Sequence, residues 1–322
     1  MSASISVYIP SFNQRNVLVE AVDSVLAQTL RPTEIIIIDD ASTDGSQDVI
    51  AGYVQAHPGW VRAIYHKRNM GVTRTRNEAV REAVGEYISY VDGDDRWLPG
   101  KLQAEFARLN ETDADFAYSN HYNMTQDGRR VDTWINGEAT PEGDVFNATL
   151  ARAFPRRDIF RMELVRTEVL RDVGAYRNEL KIFEDFDMRI RLTKQARACF
   201  VDEPMAEIRR HTRGLSSGLR ADTVAVLDSI WEKNVRLLDK CGSREKRMLK
   251  RGYFGWMAPY FQEAAYEALY DVERSQMHRR LRAMAYFSRT ARFAPDRLSL
   301  GDMYRVLLPD AWAQAAVNRK FG

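Results

Sequence analysis

The stretch Glu86-Tyr87-Ile88-Ser89-Tyr90-Val91-Asp92-Gly93-Asp94-Asp95 decides how the rest of the chain is interpreted. Its apolar start predicts a buried strand, and the strand ends abruptly in three carboxylates with one glycine among them. Carboxylates packed this closely repel one another unless a cation or hydrogen-bond donors hold them. Hard divalent cations such as Mg²⁺ and Mn²⁺ prefer such oxygen ligands. Asp-Gly-Asp-Asp is also an ordinary turn sequence, so the segments around it have to decide between the two interpretations.

The segments before this stretch alternate between strand and helix patterns. Ile5–Ile9 and Glu34–Ile38 predict strands, and the second, with four consecutive isoleucines, is expected to be buried on both faces. Val61–Tyr65 predicts a third strand, and helical spacing of apolar residues lies between the strands. The alternation predicts an α/β fold with a parallel sheet and right-handed crossovers.

Two pairs of carboxylates follow predicted strands of this sheet. Asp39 and Asp40 come directly after the second strand, and Asp92 and Asp94 after the fourth. Each pair alone is compatible with a helix cap or a turn. Because ligands of such sheets bind beyond the carboxyl ends of the strands, we interpret both pairs as one acidic cleft.

The chain beyond this point is less regular. We predict a helix over Gly100–Leu109, a strand at Phe116–Tyr118, a hairpin turn at Asp127-Gly128 and a helix over Glu163–Val173. A second acidic cluster, Phe183–Asp187, opens a further predicted helix. Acidic residues suit a helix N-terminus on dipole grounds alone, so this cluster is structural or functional.

Bulk properties place the chain among globular proteins. It has 322 residues, 45% of them hydrophobic, and a formal net charge of +2. No apolar run reaches the roughly 18 residues needed to span a bilayer, and the N-terminus has no signal-peptide pattern. Cys199 and Cys241 are far apart in the sequence and predict neither a disulfide framework nor a metal cluster. A reducing cytoplasm is therefore the expected compartment.

The charge and the pattern both change near residue 222, and we predict two regions, 1–221 and a helical 222–322. The second carries 18 Lys and Arg against 12 Asp and Glu. It also carries Trp231, Trp256, Tyr260, Phe261, Tyr286, Phe287 and Trp312. One interpretation is a basic and aromatic surface for an anionic membrane. The other is that the aromatics form a core and the helices pack on the sheet or make a homodimer.

The order of motifs resembles a family 2 glycosyltransferase of the GT-A fold. The likeness covers about residues 4–217 and includes a Val173-Gly174-Ala175-Tyr176 segment. The other matching segments are Ser6–Asn13, Ile38–Gly45, Asn69–Gly71 with Arg76-Asn77, Gly85–Ile88, Asp92–Asp95, Glu184-Asp185 and Arg210-His211. Ala41 stands where the family more often has glycine or asparagine.

The resemblance implies a nucleotide-sugar donor site. Its residues would be Pro10, Phe12, Asp39, Asp40, Asn69, Arg76 and Asp92. Phe12 would stack on the base, and Asp40, with Asp39 as the second candidate, would accept a hydrogen bond from the base imide. That preference favours uracil or thymine, and hence a UDP or dTDP donor.

The resemblance also implies a divalent metal ion, Mn²⁺ or Mg²⁺, held by Asp94, Asp92 and His211 against the donor diphosphate. Asp185 would be the general base, with Glu184 as its supporting neighbour. One base without a nucleophilic carboxylate implies inversion at the anomeric carbon.

Two departures narrow this interpretation. Processive members carry a Gln-x-x-Arg-Trp motif and membrane spans, whereas Gln276–Arg280 here lacks the tryptophan and stands too far along the chain. We therefore expect transfer of one sugar per encounter. The acceptor would be a glycan or a lipid-linked glycan of bacterial cell-surface polysaccharide synthesis, and not nucleic acid. The place would be the cytoplasm or the inner face of the plasma membrane.

Two rival functions remain at this stage. A nucleotidyltransferase shares the nucleotide-binding sheet, but it needs a glycine-rich basic loop, and Pro10–Arg15 contains no glycine. The second rival is a catalytically degenerate homologue that only binds nucleotide-sugar or glycan. The presence of Asp92, Asp94 and Asp185 argues against this loss of activity.

Overall fold

The computed structural model describes residues 4–210, 221–270 and 276–299. The chain divides into two compact units. The first comprises Met1–Thr149 with Ala153–Leu215, and the second comprises Leu150–Arg152 with Ser216–Gly322. The division into regions 1–221 and 222–322 stays a prediction.

The first unit contains one mixed sheet flanked by helices. Its strands are β1 (Ile5–Ser11), β2 (Glu34–Asp39), β3 (Val61–Tyr65), β4 (Tyr87–Tyr90), β5 (Arg96–Trp97), β6 (Phe116–Met124), β7 (Arg130–Thr133), β8 (Leu164–Arg166) and β9 (Ala198–Arg209). Its helices are α1 (Arg15–Leu26), α2 (Ser46–Ala56), α3 (Val72–Glu82), α4 (Lys101–Glu111), α5 (Phe146–Leu150), α6 (Thr167–Asp172) and α7 (Glu184–Gln195).

The strand order is β3-β2-β1-β4-β8-β6-β9-β5, with β7 paired to β6. β1 pairs in parallel with β2 and with β4, and β2 pairs in parallel with β3. This parallel half was predicted from the alternating pattern and is confirmed. β8 then runs antiparallel to both of its neighbours, which makes the whole sheet mixed.

The isoleucine run explains why β2 lies inside the sheet. All six residues of Glu34–Asp39 are buried, so both faces of the strand are covered, as the sequence predicts. Helix α1 covers part of this sheet with one apolar face. Its buried residues are Leu18, Ala21, Val22 and Val25, at the spacing that places them on one side of a helix.

The predicted helix over Glu163–Val173 is wrong at its start. Leu164–Arg166 forms strand β8, in which Val165 lies opposite Ile88 of β4 and Phe116 of β6. The helix begins only at Thr167. Pairing with two distant strands overrides the local helical pattern here, as tertiary contacts commonly do.

The second unit is helical in its described part. Its helices are α8 (Ala221–Asn234), α9 (Ser243–Trp256), α10 (Ala258–Tyr270) and α11 (Gln276–Phe293). Trp231, Phe261 and Phe287 are buried, so these aromatics belong to a core, and the interpretation that places them on a membrane surface is wrong for them. Trp312 lies outside the described residues. Within the described ranges, none of the helices is both long and apolar enough to cross a bilayer.

A buried ion pair fixes α4 in the first unit. Nζ of Lys101 lies 2.6 Å from Oε2 of Glu105 and donates a hydrogen bond to the carbonyl of Met162 at 2.7 Å. Ser119 donates to the other carboxylate oxygen at 2.9 Å. Both charged side chains are fully buried, which lowers the pKa of Lys101 and raises that of Glu105. Each charge is tolerated only because the other compensates it.

We expect Lys101→Met to lower the free energy of unfolding by about 3–5 kcal/mol, because Glu105 is then left buried without its partner. The double variant Lys101→Met/Glu105→Leu should recover most of the loss. Urea denaturation of both variants measures the difference. Equal destabilisation by the single and the double variant would show that packing, and not charge, governs this position.

Candidate active site

The two acidic pairs of the predicted site follow strands that end at one edge of the sheet, which we call the strand-end edge: the carboxyl ends of β1, β2 and β4. Ser11 at the end of β1 pairs with Asp39 at the end of β2. On the other side of β1, Tyr8 pairs with Tyr90, two residues before Asp92. The parallel register therefore brings the two acidic pairs to the same edge, as the sequence predicts.

Glycine at position 93 lets the acidic turn, Asp92–Asp95, approach β1. A Cβ atom on Gly93 would lie 2.4 Å from Oε1 of Gln14 and 3.1 Å from the carbonyl oxygen of Pro10. Pro10 itself is buried in β1. The acidic turn therefore packs directly against the backbone of Pro10. Phe12, two residues further, is 46% exposed and is available to a planar ligand.

Asp39 and Ser11 each leave a buried polar atom without a hydrogen bond. Oδ2 of Asp39 accepts from the Ser42 N–H at 2.9 Å and from Nε2 of Gln47 at 2.7 Å. Oδ1 of Asp39 and Oγ of Ser11 are buried, and neither has a partner among the described residues. Buried polar atoms are nearly always satisfied in folded proteins, so such exceptions point to a group that is not part of the chain.

Asp40, by contrast, is held by three donors. Its Oδ1 accepts from Nδ1 of His66 and from the Met70 N–H, both at 2.7 Å, and its Oδ2 accepts from the Gly71 N–H at 2.8 Å. These contacts fix the turn that starts α3. Oδ2 still has an unused lone pair, because a carboxylate oxygen accepts two hydrogen bonds. Asn69, immediately before this turn, is exposed.

Arg76 links Asp92 of the acidic turn to Glu184 of the second acidic cluster. Its Nη2 donates to Oδ1 of Asp92 at 2.7 Å, and its Nε lies 4.0 Å from Oε1 of Glu184. The guanidinium lies 4.6 Å from the ring centroid of Tyr90. Although Arg76 is only 5% exposed, its Nε and Nη1 have no hydrogen-bond partner in the described part of the chain.

The acidic turn concentrates negative charge. The Asp95 N–H donates to the carbonyl of Asp92 at 2.9 Å, and the buried Asp95 carboxylate accepts from the Arg209 N–H at 2.6 Å. Burial, and then the charges of Asp94 and Asp92, raise the pKa of Asp95 well above its usual range. The pKa of Asp92 is also raised, by partial burial and by Asp94, against the opposing effect of Arg76.

A divalent cation would relieve this repulsion, and the oxygen ligands present are those that Mg²⁺ and Mn²⁺ prefer. Across residues 4–210, 221–270 and 276–299, no group of three His, Cys, Asp or Glu side chains forms a complete metal cage. A metal ion held by the turn would have to take its remaining ligands from outside this group, for example from phosphate and water, as Mg²⁺ often does. His211, the third predicted ligand, lies outside the described residues.

Glu184 and Asp185 open helix α7. Oδ1 of Asp185 accepts from the Phe186 N–H at 2.8 Å, and its Oδ2 lies 2.6 Å from Nη1 of Arg189. Glu184 is 7% exposed, and burial together with the charge of Asp185 raises its pKa to about 7. A backbone hydrogen bond and the charge of Arg76 favour the ionised form of Glu184, but burial and the charge of Asp185 outweigh them.

Arg189 is a site residue that the motifs did not reveal. It is fully buried, and besides Asp185 it contacts Oε2 of Glu163 at 3.1 Å and the Tyr90 hydroxyl at 2.7 Å. It connects the base candidate to the strand that leads into the acidic turn. The four-residue spacing from Asp185 on one helix was the available signal. Arg161 is a second such residue, because its charge opposes the raised pKa values of Asp92 and Asp95.

Comparison with known proteins agrees with this geometry. Residues 6–157 match the profile of Glycosyl transferase family 2. The chain carries a family 2 glycosyltransferase domain. The family predicted from the motifs is therefore confirmed, and residues 6–157 include the strand-end edge and the acidic turn but not α7.

Two similar proteins come from bacteria. A relative named for teichuronic acid biosynthesis, TuaG of Bacillus subtilis (strain 168), is 34% identical over 132 residues, which are 41% of this chain and 52% of TuaG. The UDP-Glc:alpha-D-GlcNAc-diphosphoundecaprenol beta-1,3-glucosyltransferase WfaP of Escherichia coli is 33% identical over 118 residues, 37% of this chain and 46% of WfaP. The chain spans about half the length of these curated relatives.

Solved structures confirm the fold predicted for the family 2 chain. The crystal structure of S. aureus TarS 1-349 superposes with a TM-score of 0.66 at 20% identity, covering 91% of this chain and 82% of that chain. At this identity the likeness concerns the fold, an α/β GT-A type domain followed by a helical region, and not the substrates.

We expect Asp185→Asn to lower turnover by about 10²–10⁴-fold while leaving donor affinity unchanged, because the amide keeps the shape but cannot take a proton. Glu184→Gln should cost less. Asp113→Asn, an exposed aspartate after α4, is the matched control. Steady-state kinetics with separate donor-binding measurements test this. The opposite ranking would move the base to Glu184, and a collapse of affinity with the rate retained would make Asp185 a binding residue.

Proposed function

We propose that the chain transfers one sugar from a nucleotide-sugar, UDP- or dTDP-linked, to a hydroxyl of a glycan or lipid-linked acceptor, with inversion. The observation that carries the proposal is the set of buried polar atoms without partners at the strand-end edge. They are Oγ of Ser11, Oδ1 of Asp39, and Nε and Nη1 of Arg76. Such atoms suit a ligand that brings both donors and acceptors, as a nucleoside diphosphate does.

Base recognition rests on Asp40 and Phe12. Three donors hold the Asp40 carboxylate in place and leave one lone pair of Oδ2 for an imide N–H, which uracil and thymine carry and adenine lacks. Asp39, with its unsatisfied Oδ1, is the second acceptor. Exposed Phe12 supplies the stacking surface. Two comparisons support a uridine nucleotide: the name of WfaP contains UDP-Glc, and TarS was solved with UDP and with UDP-GlcNAc.

Asp94 and Asp92 would hold Mn²⁺ or Mg²⁺, with His211 as a further candidate. A divalent cation in this position supplies positive charge to the diphosphate that leaves the sugar. The chain itself contributes Arg76, whose unused N–H groups can donate to phosphate oxygens or to the sugar beside Asp92. Arg161 adds a second positive charge, which acts to lower the pKa of Asp92 and of Asp95.

Asp185 would take the proton of the acceptor hydroxyl as that oxygen attacks the anomeric carbon. Arg189 orients the carboxylate through a 2.6 Å contact, and its own position is fixed by Glu163 and Tyr90. A single base without a second carboxylate acting as nucleophile gives inversion by one displacement. Glu184, with a pKa of about 7, is the neighbouring group that can share or replace this role.

The setting we propose is bacterial cell-surface polysaccharide synthesis on the cytoplasmic side of the plasma membrane. The names of TuaG, with teichuronic acid, and of WfaP, with a diphosphoundecaprenol acceptor, support it. Substrates of this kind require no nucleic acid partner. A homodimer stays a prediction.

We further propose peripheral contact with anionic lipid through α11. Met277, Leu281 and Met284 are 73%, 58% and 51% exposed, and their spacing places them on one face of the helix. This apolar stripe, rather than the buried aromatics, would enter the interface. The excess of Lys and Arg over Asp and Glu after residue 221, 18 against 12, would supply attraction of about 1 kcal/mol for each cation close to the surface.

The donor and metal assignments are tested together by calorimetry. With Mn²⁺ present, we expect UDP or dTDP to bind at least about tenfold more tightly than ADP, because adenine lacks the imide N–H that Asp40 would read. Asp94→Ala should weaken UDP binding only when Mn²⁺ is present, and EDTA should abolish transfer by the wild type. Equal binding of UDP and ADP would remove the base-reading role, and full transfer activity in EDTA would remove the metal.

The membrane contact is tested by co-sedimentation with vesicles. Binding should require anionic lipid and weaken as salt rises, since surface charges are screened within about 10 Å at 0.1 M salt. Substituting serine at Met277, Leu281 and Met284 together should abolish it. Val84→Ser, which removes an equally exposed side chain from the first unit, should not. Unchanged binding by the triple variant would exclude α11 as the contact.

A further inference from the structure

His66 occupies a position that the mechanism above does not use. It directly follows β3, and its backbone N–H donates to the carbonyl of Asp39 at 2.9 Å. The imidazole lies between two carboxylates: Nδ1 is 2.7 Å from Oδ1 of Asp40, and Nε2 is 2.7 Å from Oε2 of Glu78 on α3. The ring is largely buried, with 9% of the side chain exposed.

Hydrogen-bond chemistry determines the charge of this ring. An ionised carboxylate only accepts hydrogen bonds, so both ring nitrogens have to donate, and only the imidazolium has two N–H groups. The pKa of His66 agrees with this: burial would lower it, but the hydrogen bonds with Asp40 and Glu78 outweigh burial and raise it above the ordinary value of 6.5. Both the hydrogen-bond geometry and the direction of the pKa shift thus favour the charged form of His66.

The contacts of Asp40 show what this cation holds together. Oδ1 of Asp40 accepts hydrogen bonds from the His66 ring and the Met70 N–H, and Oδ2 accepts one from the Gly71 N–H. Through His66 the same carboxylate is also joined to Glu78, two turns into α3. The end of β2, the end of β3 and the first turns of α3 are thus tied to one carboxylate, the one to which the base-reading role is assigned.

We infer that His66 is a positioning residue for donor recognition: as an imidazolium clamped between Asp40 and Glu78, it fixes the Asp40 carboxylate that reads the nucleotide base, so that donor affinity depends on its proton. The inference rests on the proposed function, because it takes Asp40 as the base acceptor. His66 does not touch the donor; it acts through Asp40.

Loss of the proton breaks the clamp on one side. A neutral ring keeps one N–H, and the other nitrogen then presents a lone pair to a carboxylate oxygen 2.7 Å away. The charged groups that face the ring are Asp40 at the end of β2 and Glu78 on α3. Glu78 is also paired with Arg81 at 2.9 Å and is 27% exposed, so it has other partners. The ring is expected to keep Asp40 and release Glu78, which frees the ring and Asp40 to move.

The sign of the pH effect follows from the direction of the pKa shift. Because the pKa of His66 is raised in the folded chain, the clamp is complete below the unfolded value of 6.5 and is lost as the pH rises through the folded-state value. Donor affinity should therefore fall on the alkaline side. By reciprocity, bound UDP should raise the pKa of His66 further.

The experiment measures UDP binding in Mn²⁺ by calorimetry from about pH 6 to about pH 8.5, below the range in which uracil itself loses its imide proton. The wild type should lose about tenfold in affinity across this range. His66→Gln, which cannot carry the charge, should bind about tenfold more weakly at the low end and show no comparable fall. Glu78→Gln should move the midpoint to lower pH, because it removes one carboxylate that favours the proton.

Two controls separate this role from a general structural one. His57→Gln changes a histidine that stacks edge-on against Trp60, with ring centroids 5.7 Å apart, and should leave the pH profile unchanged. A proton NMR titration follows the His66 ring in the wild type, and the His66 signal is assigned as the one missing from the spectrum of folded His66→Gln. Its pKa should rise when UDP is added.

The outcomes are distinct. If wild type and His66→Gln lose affinity in parallel as the pH rises, or if UDP leaves the pKa of His66 where it was, the positioning role is overturned while the proposed function stands. If UDP binds the wild type at none of these pH values, the proposed function fails and the inference fails with it.

Discussion

The parallel register of β1 with β2 and β4 is the constraint on which the site depends. It ends three strands at one edge and so brings Asp39, Asp40 and Asp92 together. Negative charge gathered in this way is stable only if cations or donors are built in beside it. Arg76, placed against Asp92, and His66, placed against Asp40, are the built-in cations at the two ends of this edge.

Local patterns were enough to predict the elements that carry the acidic residues, because each depends on a short stretch of sequence. The buried run Glu34–Asp39 is an example, since its length and composition leave no other interpretation. The partners of those residues were not predictable in the same way. Leu164–Arg166 became a strand because β4 and β6 pair with it, and Arg189 belongs to the site because Glu163 and Tyr90 fold onto it. Such contacts join positions about 25 to 100 residues apart, which no window of sequence displays.

In the helical unit, too, the sequence did not reveal which side chains are buried. Composition placed basic and aromatic residues in one region, but it did not tell which side chains face inward. Tyr253 donates a hydrogen bond to the carbonyl of Leu227 at 2.7 Å and packs against Trp231, so these aromatics serve the core. Among the described residues of this unit, the exposed large apolar side chains are Val235, Met248 and the methionines and the leucine of α11, none of them aromatic. Composition identified the unit as helical and charged; only packing distinguishes core from surface.

The parallel strands β1 to β4 can form earlier during synthesis than the remaining strands of the mixed sheet. β1 to β4 lie within Ile5–Tyr90 and pair only with one another up to that point, so their contacts close as soon as this length of chain is available. β5 at Arg96–Trp97 finds its partner only at Ala206–Glu207 of β9, more than a hundred residues later. A chain emerging from the ribosome can therefore assemble first the parallel half that carries the strand-end edge. The remaining strands can pair only after distant parts of the chain come together, and such long-range pairing is the slower kind of step in folding.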